Sequence, residues 1–176
     1  NVLYYNVRGV DKLQANRSIA ALSSNPEVVD VERCYTLPFD YSSGNNIYLP
    51  GDDRDLFNIA DQYDGTKGFF DFFEIPMLEG RVPETRQEVA VSRQFVEKMQ
   101  EFTDWKDGAV GKEIQISEHS DTSAMNQGIL TISGVYEDYR IGLLTRNDER
   151  PSIRFTAEPD SGYMPIILVK VKELNP

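Results

Sequence analysis

The sequence has little of what most catalytic and membrane-spanning proteins need: one cysteine, Cys34, and one histidine, His119, occur among its 176 residues. A single cysteine excludes a disulfide within the chain. The longest apolar run, Ile166 to Val169, is far shorter than the roughly 20 residues that a bilayer span requires. The first residues read as a strand and not as a signal peptide. Since the sequence starts at Asn1 and stops after a strand-like segment, we expect an excised or processed piece of a larger protein.

Basic residues are also few, because 18 Lys and Arg face 29 Asp and Glu, for a net charge of −11. A chain this acidic is repelled by phosphate backbones and by anionic lipid surfaces, so we expect neither a nucleic acid nor a peripheral membrane surface as a partner. Hydrophobic residues make up 40% of the chain, a share typical of folded globular proteins.

Known catalytic motifs are absent: the sequence contains no GxSxG, HExxH, CxxC or phosphate-binding loop pattern. Cys34 falls in a strand-like run, where a buried structural thiol is favoured over a reactive one. His119 stands between Glu118 and Asp121 in a polar stretch, and a solvated loop histidine is favoured over a proton relay, since catalytic triads assemble from distant segments. We therefore expect no enzyme and no cofactor.

Two acidic stretches, 51–55 and 61–65, look at first like calcium loops. Placing Gly65 at the sixth position of an EF-hand puts Ala60 at the first, where an oxygen ligand is required. A solvated acidic surface is the favoured interpretation, a looser calcium site stays open, and no metal site is predicted. The glycosylation triplet at Asn16 lies within a predicted helix and carries little weight.

The first forty residues predict a strand, a helix and a second strand. Residues 2–7 alternate as a half-buried strand, Asp11 is a helix N-cap with Gln14 at the capping-box position, and residues 28–39 alternate again. Near the other end, residues 164–172 are apolar enough for a central strand. The link of about 20 residues between the first two strands is the usual length for a crossover.

Short strands and short helices are predicted between these ends. Phe69, Phe70, Phe72 and Phe73 fall in a helical turn, and such a cluster is more often core than an exposed docking site. Residues 88–92 read as a buried strand, and Ser92 caps a helix with an apolar face of Phe95, Val96, Met99 and Phe102. Residues 112–117 and 129–140 predict a hairpin around the polar loop 118–128. The predicted class is α+β.

Four phrases follow one another in the middle of the chain: FFDFFEIPMLEGR (Phe69 to Arg81), EVAVSRQFVEKM (Glu88 to Met99), GAVGKEIQIS (Gly108 to Ser117) and LTISGVYEDYR (Leu130 to Arg140). Their order and gaps resemble the MacB-like periplasmic core domain of FtsX-type ABC-transporter permeases. The matching positions are Leu78, Gly80, Arg81, Val110, Gly111, Lys112, Ile132, Gly134, Val135 and Asp138, whereas Ala109 replaces the family's usual proline. The similarity covers about 70 residues well and the first strand–helix–strand weakly.

The resemblance implies an extracytoplasmic, non-catalytic domain of a permease, which would couple ATP hydrolysis in the cytoplasm to the export or release of a substrate or to a periplasmic partner. Its fold would have two lobes: a porter-like α+β lobe, 1–44 and 146–176, completed by the C-terminal strand, and an inserted β-rich lobe, 45–145. The first lobe would lack a further helix and strand and would leave a sheet edge exposed. Gly80, Gly111 and Gly134 would be the family's structural turn positions.

The same resemblance implies the partners and the location. They are the rest of its own permease, indirectly a cytoplasmic ATPase, a periplasmic adaptor protein and a second copy of the parent, at the periplasmic face of the bacterial inner membrane. Two other interpretations stay open: a free-standing cell-envelope module for substrate binding or adhesion, and an enzyme whose site gathers His119 with distant carboxylates or a serine.

Overall fold

A computed structural model describes residues 1–40, 43–116, 129–143, 145–156 and 164–173, of which 61–64 and 146–147 are described by their backbone. Across these residues the helices are α1 (Lys12–Ser23), α2 (Phe69–Phe72) and α3 (Arg93–Met99). The strands are β1 (Val2–Asn6), β2 (Val28–Cys34), β3 (Ser43–Tyr48), β4 (Phe57–Gly65), β5 (Met77–Gly80), β6 (Glu88–Ser92), β7 (Glu113–Ile116), β8 (Ile129–Tyr136), β9 (Ile141–Leu143), β10 (Arg146–Asp148), β11 (Ser152–Thr156) and β12 (Ile166–Val171). This strand-rich content confirms the predicted α+β class. None of the three helices has the length and apolar character needed to cross a membrane.

The two ends of the chain meet in a sheet with the strand order β1-β12-β2, in which β12 pairs antiparallel with both neighbours. On one face of β12, Ile166 and Leu168 pack with residues of α2, and on the other, Ile167 and Val169 pack with residues of α1. A strand buried on both faces has to be apolar at consecutive positions. The prediction of a central strand here is confirmed.

Helix α1 begins as predicted, because the Asp11 carboxylate accepts hydrogen bonds from the backbone N–H groups of Leu13 and Gln14 at 2.9 and 3.2 Å. The helix lies against β2 and β12, and Ala15 is its buried residue. It leaves the first residues of β1 uncovered, so that Leu3 is 55% exposed, and Leu13 in its own first turn is 59% exposed. The prediction of a half-buried first strand was therefore wrong at Leu3, because α1 packs with Tyr5 and Val7 and does not reach the start of the strand.

A barrel-like ring of six strands forms the second part of the sheet, in the order β4-β11-β6-β8-β7-β3, and β3 pairs with β4 to close it. Its interior holds the largest core cluster, to which α3 contributes Phe95 and Met99. Strand β4 also pairs with β2 through Gly65 and Cys34. The ring and the first sheet are therefore joined where β4 meets β2.

Strand β11 lies in the ring, where it pairs parallel with β4 and antiparallel with β6. The predicted lobe boundary at residue 145 assigns this segment to the first lobe instead. Alternating apolar residues in a strand show which face is buried, but they do not show which neighbour the strand pairs with. The division of the chain into two lobes stays a prediction.

The region 88–136 agrees closely with the predicted elements. Strand β6 spans Glu88–Ser92, and the Ser92 hydroxyl oxygen accepts a hydrogen bond from the Phe95 N–H at 3.2 Å, which caps α3. Strands β7 and β8 pair antiparallel, as the hairpin prediction required. The predicted loop between them, 118–128, lies outside the described residues. The small β9–β10 hairpin has no counterpart among the predicted elements.

Candidate functional site

The three glycines singled out in the sequence lie together around β8. Gly80 is the register partner of Gly134 in the β5–β8 pair. The Gly111 N–H donates to the carbonyl oxygen of Ile132 at 2.8 Å, and Ile132 lies two residues before Gly134 on β8. Segments from three separate phrases of the sequence are thus packed against a single strand.

The backbone is closely packed at two of these glycines. At Gly80 φ is +65°, and a Cβ atom would lie 2.2 Å from the Ser133 carbonyl oxygen. At Gly134 a Cβ atom would lie 2.3 Å from the Arg81 carbonyl oxygen. Gly111 differs, because its φ is +83° but the space around it is open. Glycine at Gly80 and Gly134 therefore permits a close backbone approach, and at Gly111 it permits a left-handed turn.

A shallow cleft of about 440 Å³ borders Gly80 and Gly111 and includes Arg81 and Glu88. The Arg81 guanidinium donates to both carboxylate oxygens of Glu88, at 2.6 and 3.0 Å. The hydrogen bond from Arg81 is the largest cause of a pKa of about 2 for Glu88, and the backbone N–H groups of Glu84 and Thr85 lower it further. The pair fixes the loop 81–88 against β8, which is a structural role and leaves neither group available as an acid or base at neutral pH.

A second polar cluster is buried where the ring meets α2. Arg154 on β11 is fully buried, and its guanidinium carbon lies 3.3 Å from the centre of the Phe69 ring. No guanidinium nitrogen of Arg154 has a hydrogen-bond partner in the part of the chain that the structure describes. Cys34 is close enough for the Arg154 charge to act on its thiol.

Two tyrosines complete this cluster. The Tyr136 hydroxyl shares a hydrogen bond of 2.7 Å with the Ser152 hydroxyl, and burial raises the pKa of Tyr136 well above its ordinary value. The Tyr136 and Tyr139 rings are 5.7 Å apart between centroids. The Tyr139 hydroxyl is buried and, like the guanidinium, finds no hydrogen-bond partner within the described ranges. Burial raises the Tyr139 pKa, and the Arg154 charge opposes that rise.

A half-buried carboxylate lies next to this region, on β2. Glu32 accepts a hydrogen bond from the Thr66 hydroxyl. Desolvation by burial is the largest cause of its raised pKa of about 7, and the neighbouring charges of Asp30 and Asp71 add to the effect. Glu32 therefore titrates near neutrality inside the folded protein.

The structure places the other residues considered from the sequence as follows. Cys34 is buried, and desolvation raises the pKa of its thiol to about 12, which fits the structural interpretation. Phe69, Phe70 and Phe72 are buried in the core, which agrees with the prediction that this cluster is core and not an exposed docking site. The triplet at Asn16 lies on α1. His119 is outside the described residues, as are the side chains of 61–64.

Within the described residues, no group of three or more His, Cys, Asp or Glu side chains is arranged to hold a metal ion. The predicted acidic stretch 51–55 lies on a turn between β3 and β4, where Arg54 pairs with Asp52 at 3.4 Å.

Sequence reasoning missed the buried Arg154 cluster. The signal available was a single arginine in the strand-like run SIRFT, which reads equally well as an outward-facing polar position. Whether that outward face is covered depends on α2 and on Tyr139, which come from distant parts of the chain.

Comparison with known proteins supports the fold. No family model matches the sequence, and no curated protein matches it. Among solved structures, the chain is similar to a domain provisionally named as part of a permease protein from Porphyromonas gingivalis, at 16% sequence identity and a TM-score of 0.60. The match covers 99% of this chain and 75% of that chain. At this level of identity the likeness shows a shared fold.

Proposed function

We propose that this chain is a non-catalytic, extracytoplasmic domain of an ABC-transporter permease of the FtsX type. The observation that carries the proposal is the likeness over 99% of the chain to a domain provisionally named as part of a permease. The sequence phrases support the finer assignment, because Gly80, Gly111 and Gly134, which come from three of the four phrases, meet around β8, and there is no space for a side chain at Gly80 or Gly134. In that class the chemistry of ATP hydrolysis belongs to cytoplasmic subunits.

The strand pairings suggest how such a domain could transmit movement. Strand β12 pairs with β2 along six residues, from Ile166 to Val171, whereas β2 pairs with β4 through Cys34 and Gly65 alone. The first sheet therefore holds together firmly and is joined to the ring by a narrow strip of backbone. A rotation about this strip breaks few backbone hydrogen bonds between strands, but it also has to repack α2. Phe72 lies against the first sheet, whereas Phe70 lies against Ala90 and Tyr136 of the ring. The proposed movement of the first sheet relative to the ring therefore involves α2 as well as the strip.

The edge of β1 is the expected place of contact with the rest of the permease. Its residues Val2, Leu3 and Tyr4 are 44%, 55% and 54% exposed, and among the described strands β1 pairs with β12 alone. Apolar side chains on an unpaired strand favour pairing with a further strand. In the proposed parent this edge is covered by a helix and a strand of the same lobe or, failing that, by a second copy.

The hydropathy of the parent gene tests the proposal. The expected result is an apolar helix of about 20 residues shortly before the segment encoded here and further such helices after it. An open reading frame without such helices would contradict the permease assignment and favour a free-standing module of the cell envelope.

A further inference from the structure

Glu32 lies beside the narrow strip where β2 meets β4, and it contacts the loop that leads into α2. In that loop the Thr66 N–H donates to the Arg33 carbonyl oxygen at 3.1 Å. The carboxylate of Glu32 lies against Gly68, the residue before α2, where a Cβ atom would overlap it. The start of α2 is therefore held on β2 by Glu32 together with one backbone hydrogen bond.

The buried hydroxyl of Thr66 has two acceptors beside it and a single proton to donate. These acceptors are the Glu32 carboxylate and the Arg33 carbonyl oxygen, the latter at 3.3 Å. When Glu32 is ionised, the Thr66 proton can serve one of the two oxygens at a time. When Glu32 is protonated, its O–H can donate to the Thr66 oxygen while Thr66 donates to the carbonyl. The protonated carboxyl therefore permits one more hydrogen bond at this place than the carboxylate does.

The charges around Glu32 also favour its protonated form. They belong to Asp30 on its own strand, Lys67 in the loop before α2, Asp71 and Glu74 within and after α2, Lys170 on β12 and Arg154 on β11; the side chains of 61–64 on β4 lie outside the described residues. Lys170 is bonded to Glu74, and the Arg154 guanidinium makes no hydrogen bond to Glu32. Burial, followed by the negative charges of Asp30 and Asp71, raises the pKa of Glu32 to about 7. Both protonation states therefore occur near neutral pH.

We propose that Glu32 is a pH-sensitive switch, which holds the start of α2 on β2 when it is protonated and releases it when it is ionised. The released end is the one that carries Phe70, whose ring packs with Ala90 and Tyr136 of the ring of strands. The other end of α2 stays attached to the first sheet, because Lys170 on β12 donates to the Phe72 carbonyl oxygen at 3.2 Å. The inference goes beyond the proposed function and does not rest on it.

The direction of the switch follows from linkage. The closed form holds the Glu32 proton with a pKa of about 7, whereas a released, solvated carboxyl has its ordinary pKa of 4.5. The contact is therefore strongest below about pH 4.5 and is weakened as the pH rises to about 7. Since Glu32 is half-buried and solvent screens its charge, we expect the opened fraction to be about fivefold larger at pH 8 than at pH 5.5.

Native-state hydrogen exchange of the 176-residue chain, measured by NMR, tests the switch. The probes are the N–H groups of Phe69, Phe72 and Phe73, which are hydrogen-bonded within the segment 66–73, and the reference amides are those of β8 in the ring. Protection factors are corrected for the intrinsic exchange rate at each pH. We expect the probes to be less protected than β8 and to respond little to low urea, as in a local opening. Between pH 5.5 and pH 8 their protection should fall about fivefold.

Two variants tie the pH dependence to the proposed residue. Glu32→Gln keeps the shape of the protonated carboxyl and stays neutral, so we expect the probes to keep their protection at pH 8. Asp71→Asn removes a neighbouring negative charge, and we expect it to move the loss of protection to lower pH. Glu79→Gln, at an exposed carboxylate on β5, is the matched control and should behave as the unaltered chain does. Circular dichroism establishes that each variant is folded.

Two results would overturn the proposal. One is protection of the probes that does not fall between pH 5.5 and pH 8, or that falls equally in Glu32→Gln. The other is a protection and a urea dependence equal to those of β8, because the segment would then open only when the whole chain unfolds. If Glu32→Gln does not fold, Asp71→Asn decides the matter, since Asp71 is exposed, and a transition at the same pH as in the unaltered chain would overturn the proposal.

Discussion

The guanidinium carbon of Arg154 lies 3.3 Å from the centre of the Phe69 ring. Arg154 belongs to β11 of the ring of strands, and Phe69 opens α2, which covers one face of the first sheet. The contact therefore joins the two parts of the structure across their shared core. It lies beside the Cys34–Gly65 pair, where β2 meets β4.

Replacing Phe69 by leucine should destabilise the protein strongly. The change removes the cation–π partner of a fully buried charge and leaves a cavity, so we expect the free energy of unfolding to fall by about 2–4 kcal/mol. Urea denaturation measures it. Phe39→Leu is the matched control, because Phe39 is 41% exposed and its replacement should cost less than about 1 kcal/mol. Equal costs at the two positions would contradict the importance of the Arg154 contact.

The pKa of about 7 at Glu32 predicts a pH-dependent stability. Because this folded-state pKa is raised from an ordinary value of 4.5, the folded chain retains a proton that the unfolded chain releases. The associated stabilisation is fully present below about pH 4.5 and is lost as the pH rises to about 7. Glu32→Gln, which is neutral throughout, should therefore melt higher than the unaltered chain at pH 8 and show no such advantage at pH 4.5.

At pH 8 we expect Glu32→Gln to raise the free energy of unfolding by about 1 kcal/mol, which corresponds to about 2–4 °C in Tm. The effect is this small because Glu32 is only half-buried and solvent screens its charge. Differential scanning calorimetry at several pH values measures it. Glu79→Gln, at an exposed carboxylate, serves as the control. A Tm difference for Glu32→Gln that stays constant from pH 4.5 to pH 8 would show that the carboxylate is not desolvated in the fold.

The glycines around β8 should differ in their tolerance of alanine. At Gly80 a Cβ atom meets the Ser133 carbonyl oxygen at 2.2 Å in addition to the strain of a φ of +65°, whereas at Gly111 the φ of +83° is the sole penalty. We expect Gly80→Ala to cost more than about 2 kcal/mol and Gly111→Ala about 1 kcal/mol. Thermal denaturation of both variants checks the order. A greater loss for Gly111→Ala would contradict the packing described here.

The unpaired edge of β1 should make the isolated chain associate with itself at high concentration. A lysine on an edge strand opposes pairing with a second strand, so Leu3→Lys should reduce the associated fraction seen by sedimentation velocity. Leu143→Lys is the control for a general effect of the added charge, because Leu143 is 60% exposed on β9 and distant in sequence from β1. We expect it to leave the associated fraction nearly unchanged. Association that responds to Leu143→Lys and not to Leu3→Lys would place the contact elsewhere.

Local signals in the sequence predicted the local structure well. Asp11 and Ser92 were predicted as helix caps because their short side chains can accept a hydrogen bond from a free N–H group in the first helical turn, and both do so. The apolar run from Ile166 was predicted as a central strand because consecutive apolar residues are needed where both faces of a strand are buried. Gly80, Gly111 and Gly134 could be singled out from the sequence because glycine is the residue that tolerates a left-handed or closely packed backbone.

Long-range pairing could not be predicted in the same way. Strand β11 could have lain beside β12 or in the ring, since its alternating pattern suits either place, and only its partners β4 and β6 decide it. The same applies to Arg154, which reads as a surface residue until α2 and Tyr139 cover it. Candidate sites that are assembled from distant segments therefore came from the structure and not from the sequence.

The side of the membrane on which this segment lies is the most direct test of the proposed function. Reporter fusions made immediately after residue 176 of the full-length parent, with alkaline phosphatase and with green fluorescent protein, measure it in a bacterial host. We predict an active phosphatase and a dark fluorescent protein, the result for an extracytoplasmic segment of a membrane protein. A fluorescent fusion with inactive phosphatase would contradict the account.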